Sequence, residues 1–162
     1  MNDIRFLMSQ FAQLDGASLG RGPKHPGSTT RHITQMNAET DEFYQQCQGA
    51  LFDEEFREFL HYSGGGLIKR EELLLHIWGP DTELANDLVW EDVLFDWNYY
   101  CTFCCIRSND QGRIDYGFAK YQAGVFQATR LSQNKNKVIK YCDSFSEWLK
   151  WVVTDINQIL NR

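Results

Sequence analysis

Apolar residues Ile4, Leu7, Met8, Phe11 and Leu14 recur at spacings of three and four, which predicts an amphipathic helix over 2–14 stopped by Gly16. Residues 15–33 are rich in Gly, Pro, Ser and Thr and read as a flexible loop. A second helical region begins near Asn37 and carries Phe43, Cys47 and Leu51. Asp53 then caps a helix with Phe56, Phe59 and Leu60 on one face, ended by Gly64, Gly65 and Gly66. Beyond the glycines the period changes. The apolar run Leu73–Trp78 predicts a buried strand closed by Gly79 and Pro80, and Asp81 opens a short helix with Leu84 and Leu88. Further strands are predicted at 99–107, 113–120, 124–131 and 137–142, and no proline follows Pro80 to interrupt a ladder. Ser144 and Glu147 form a capping box. It opens a terminal helix whose stripe is Trp148, Leu149, Val152, Val153, Ile156, Ile159 and Leu160.

The 162 residues suit one domain, and 43% hydrophobic with 23% charged residues is globular composition. A formal net charge of -6 argues against a broad basic face for nucleic acid or anionic membranes. The charge is unevenly placed: +2 over 1–38, -12 over 39–96 and +4 over 97–162. Five cysteines at 47, 101, 104, 105 and 142 lack framework spacing and read as free thiols of a reducing compartment. No stretch has the length of a membrane span, so a soluble, cytoplasmic protein is expected.

Three local patterns stand in a set order. The first is the helix from Leu51 to Leu60 (LFDEEFREFL) running into Ser63, Gly64, Gly65 and Gly66. The second is the strand, turn and strand of Phe103–Gly112 with Ile114–Tyr116, followed by Gly124–Phe126. The third is Ser144–Leu149 (SFSEWL). Together, over about 51–153, they resemble the SUKH superfamily, named for the yeast cell-wall-assembly and killer-toxin-resistance regulator and its bacterial relatives. Phe52 departs from the family's usual proline, and the 15–33 loop has no counterpart there. The resemblance implies an α+β fold of one domain, 1–162. Its mainly antiparallel sheet would have five or six strands, flanked by N-terminal helices and a C-terminal helix. It also implies a binder with no shared catalytic residues. Many bacterial members resemble immunity proteins that neutralise a cognate toxin, often a nuclease or deaminase; fungal members resemble scaffolds of cell-wall signalling.

Candidate chemistry was weighed against packing. Cys101 and Cys104 form a Cys-x-x-Cys, but three residues apart on a strand they are expected on opposite faces, with Cys101 and Cys105 sharing one. They read as packing cysteines. His76 reads as a hydrogen-bonded core residue, and His25 and His32 as loop residues. A Cys47–His61 nucleophile pair is the enzymatic alternative. The glycine-rich Gly22–Ser28 lacks the order of a phosphate loop, and Tyr116–Tyr121 has Tyr for the leading Lys or Arg of an RNA-binding strand and Lys120 where a stacking aromatic belongs.

Asp81, Glu83, Asp87, Glu91, Asp92 and Asp96 occur with no Lys or Arg between them. Such a run is either a solvated face or a docking surface for a basic partner. Trp90 and Trp97, set among the acids, are either interface anchors or core. The expectation is a non-catalytic protein-binding domain, as monomer or small homo-oligomer, needing no metal or cofactor. As an immunity protein it would bind a cognate toxin through Asp81, Glu83, Asp87, Trp90, Glu91, Asp92, Asp96 and Trp97. Gly64, Gly65, Gly66, Ser144, Glu147 and Trp148 would be structural. A regulatory scaffold and a cysteine-dependent enzyme are the alternatives.

Overall fold

The computed structural model describes residues 3–19, 53–78, 94–96, 99–108, 112–132 and 135–160. The helical region from Asn37, the short helix from Asp81 and the turns at 109–111 and 133–134 lie outside them. The fold is α+β: one seven-stranded antiparallel sheet with an N-terminal helix, a second helix and a C-terminal helix.

Helix α1 (Ile4–Ala12) is capped by Asp3, whose carboxylate accepts the Arg5 backbone N–H at 2.9 Å. Its Ile4, Leu7 and Phe11 are buried, and Met8 and Leu14 pack beside them, as the spacing predicts. Gly16 turns the chain into β1 (Ala17–Leu19). This strand corrects the loop expected from residue 15, since three residues of that stretch pair with β2 (Gly66–Lys69). Helix α2 (Glu54–Ser63) ends at Gly64, whose left-handed φ of 69° lets its N–H reach the Leu60 carbonyl at 2.8 Å.

Strands β3 (Leu73–Ile77), β4 (Tyr100–Ser108), β5 (Gly112–Ala119), β6 (Val125–Ser132) and β7 (Lys135–Cys142) follow, and helix α3 (Phe145–Leu160) closes the chain. The strands stand in the sheet in chain order, each antiparallel to the last. Seven strands, not five or six, make this meander, because β1 and β2 add an edge that sequence pattern did not show.

One face of the sheet carries Leu75, Ile77, Ile106, Ile114, Tyr116 and Phe118 and packs against all three helices. The centre of this core is aromatic. The Phe56 ring lies 5.1 Å from Phe103, 5.0 Å from Phe118 and 4.9 Å from Phe145. Trp148 meets Phe103 edge-on at 5.0 Å. The other face carries a smaller cluster of Ala119, Phe126 and Ala128, covered by Leu94 and Phe95.

The capping box forms with one change. The Glu147 N–H donates to the Ser144 hydroxyl at 3.2 Å, while the Glu147 carboxylate accepts from the N–H of Asp143, one residue earlier than expected. Asp53 serves two helices. One carboxylate oxygen accepts the Glu55 N–H at 2.8 Å at the start of α2, and the other accepts the Phe145 N–H at 2.9 Å at the start of α3. Glu55 accepts the Ser146 hydroxyl at 2.9 Å alongside.

Candidate functional site

Of the residues expected to face a partner, Asp81, Glu83, Asp87, Trp90, Glu91, Asp92 and Trp97 lie outside the described residues. Asp96 lies within them and is exposed. It belongs to a short segment, residues 94–96, laid across the second face of the sheet.

A buried carboxylate fixes that segment. Asp115 on β5 is fully buried and accepts the Leu94 N–H at 2.8 Å. The same carboxylate takes the Arg113 guanidinium at 2.7 and 3.3 Å, so its charge is compensated where water is absent. On the other side the Asn136 side-chain amide donates to the Leu94 carbonyl at 3.0 Å. Phe95 then lies over Gly117, where a Cβ would stand 3.1 Å from its ring and 2.7 Å from the Cys101 carbonyl oxygen. A side chain at 117 would lift the segment off the sheet.

The chain leaves this anchor at an exposed corner. The Tyr99 and Tyr100 N–H groups donate to the Asp96 carbonyl at 3.1 and 2.9 Å, and Lys120 N–H donates to the Tyr99 carbonyl at 2.8 Å. Tyr100 turns inward against Phe95 and Phe126. Tyr99 turns outward, 53% exposed, and its ring lies 6.5 Å from that of Tyr121, which is 81% exposed. Two solvated tyrosines beside an acid form a surface that can bury aromatic area and donate hydrogen bonds to a partner. Sequence reasoning missed the pair: Tyr99 and Tyr121 are 22 positions apart, and only the β4–β5 register brings them together.

The cysteines depart from the alternation argument. A β-bulge between Thr102 and Cys104 shifts the register, so that Cys101 faces Phe118 and Cys104 faces Tyr116. Phe118 and Tyr116 share a face, so Cys101 and Cys104 do too, and both join the main core. Cys105 lies on the opposite face, the reverse of the expected grouping. Cys101 is disulfide-bonded, which corrects the expectation of free thiols at that position and removes it as support for a reducing compartment. Cys104, Cys105 and Cys142 are free. Burial, the largest influence on each, pushes Cys105 up to about 11, Cys142 up to about 12 and Cys104 well above its ordinary value. None of the three is poised as a thiolate.

The register also sets His76, Cys105 and Asp115 side by side on β3, β4 and β5. This row has the residue types of a nucleophilic triad, and its parts are held otherwise. Asp115 is committed to Leu94 and Arg113, and the Cys105 thiol keeps its proton. His76 is buried as expected, but its Nε2 has no hydrogen-bond partner, which corrects the hydrogen-bonded reading of that atom. Among the described residues, no three His, Cys, Asp or Glu side chains come together to hold a metal ion. No described helix is long and apolar enough to cross a membrane.

No family model matches the chain, and neither a curated protein sequence nor a solved structure does. The resemblance therefore rests on the three motifs alone.

Proposed function

We propose that this chain is a non-catalytic protein-binding domain of SUKH type that neutralises a cognate protein toxin by stoichiometric binding. One observation carries the reading: the three motifs behind the resemblance meet in space. Asp53 and Glu55 of the first bond Phe145 and Ser146 of the third. Phe56 of the first touches Phe103 of the second and Phe145 of the third. Motif residues used in caps and core leave recognition to the surface, as suits a fold whose members bind different partners. Burial keeps Cys104, Cys105 and Cys142 protonated, which weighs against a nucleophile among those three; Cys47 of the Cys47–His61 pair lies outside the described residues.

In this reading a basic toxin docks on the acidic segment 81–97, next to Asp96, Tyr99 and Tyr121. Charge complementarity speeds encounter more than it tightens the final complex. Reversing Glu83, Asp87 and Glu91 to lysine should slow association with the cognate toxin by about tenfold at low salt and flatten its salt dependence. Variants that bind and protect cells as well as wild type would show that the acidic segment is not the docking face.

A further inference from the structure

The end of the sheet near the β4–β5 turn holds a row of cations that the proposed toxin surface does not use. Arg107 on β4 pairs with Arg113 on β5. Arg113 precedes Ile114, which faces Thr129 on β6, so Arg130 stands next in the same row. Neighbouring strands lie about 4.8 Å apart, so the three arginines start from backbone positions within about 10 Å. All three line one cavity of about 560 Å³, together with Leu94, Gly112 and Thr129.

Like charges directly opposite each other across strands oppose folding. Among the described residues the fully buried Asp115 compensates Arg113. Arg107 and Arg130 are exposed and have no carboxylate partner among the described residues. Among the described residues, three guanidinium groups and one carboxylate make a local surplus of positive charge in a chain whose net charge is -6. The Asp115 bonds also hold Arg113 in place, so one donor of the row is set before any ligand arrives.

We infer that this cavity binds the phosphomonoester group of a small molecule. A phosphomonoester carries about -1.5 to -2 charge near neutral pH and three acceptor oxygens, which suits a cationic row and the planar forks of arginine. The volume exceeds what phosphate alone fills and falls within the roughly 300–1,000 Å³ of small-molecule sites, so the phosphate is the handle of a larger ligand. Leu94 supplies an apolar wall for the remainder. The site is independent of the toxin-binding reading.

Inorganic phosphate is the direct probe, titrated into the full chain by calorimetry and followed in amide ¹H–¹⁵N spectra. Saturable binding is expected, with shifts centred on Gly112, Arg113, Thr129 and Arg130. The double variant Arg107→Gln/Arg130→Gln should bind about tenfold or more weakly, whereas Lys150→Gln on α3 should bind as wild type. Acetate should bind at least about tenfold more weakly than phosphate. Without phosphate the double variant should melt no lower than wild type, because it relieves repulsion within the row. The inference is overturned by the absence of saturable binding up to about 10 mM phosphate. Shifts centred elsewhere, undiminished binding by the double variant, or acetate binding as well as phosphate would overturn it equally.

Discussion

Burial keeps the His76 imidazole neutral down to about pH 4, against an ordinary value of 6.5. The unfolded chain therefore binds more protons between those values, so His76 contributes stability that is fully present above pH 6.5 and is lost as pH falls toward 4. Unfolding free energy should drop between about pH 7.5 and pH 4.5 by about 2–3 kcal/mol more in wild type than in His76→Gln. Equal drops in urea titrations would show that His76 reaches solvent. The cysteines allow a second test at the same scale. With its thiol pushed up to about 11, Cys105 in the folded protein should react with iodoacetamide roughly a hundredfold more slowly at neutral pH than an unperturbed thiol. After unfolding without reductant, three of the five cysteines should alkylate, because the disulfide of Cys101 withholds two. Five reactive thiols would contradict the disulfide, and rapid native-state labelling would revive the enzymatic alternative.

At the scale of elements, Asp53 ties α2 to α3 through two backbone N–H groups. A single N-cap contributes about 1 kcal/mol, so Asp53→Ala should cost about 2–3 kcal/mol in denaturant unfolding and Asp53→Asn about half that. A loss below about 0.5 kcal/mol would mean that the two helices are held by packing alone. The first of these caps was legible in the sequence; the second was not, since Phe145 is distant in the chain. The same division runs through the fold. Helices α1, α2 and α3 and strands β3 to β7 were readable because their periodicity is local. Strands β1 and β2 have three and four residues and include Ala17, Ser18 and Gly66, which favour no strand by themselves. Pairing of Ala17 with Ile68 and Leu19 with Gly66 creates them, and that is a tertiary effect. The bulge at Phe103 defeated alternation in the same way, because one unpaired residue moves every later side chain to the other face. Of the candidate site, charge pattern marked the acidic stretch, whereas the Tyr99–Tyr121 pair and the arginine row exist only through register.

For the whole molecule, the charge distribution acquires a geometry. The acid surplus of residues 39–96 leads into a segment pinned on the second sheet face by Asp115 and Asn136. The positive charge of 97–162 includes a row of arginines on the same face of the sheet as Asp115. A chain with net charge -6 thus carries an acidic segment, proposed to face a basic protein, and a cavity lined by arginines, proposed to hold a phosphate. The protein is proposed to act by occupying its partner, not by transforming it. This proposal is tested most directly by titrating the activity of the cognate toxin with purified protein. Toxin activity should fall linearly and vanish at one equivalent, with a one-to-one complex recovered intact. Complete inactivation by a small fraction of an equivalent, or full toxin activity at several equivalents, would contradict it.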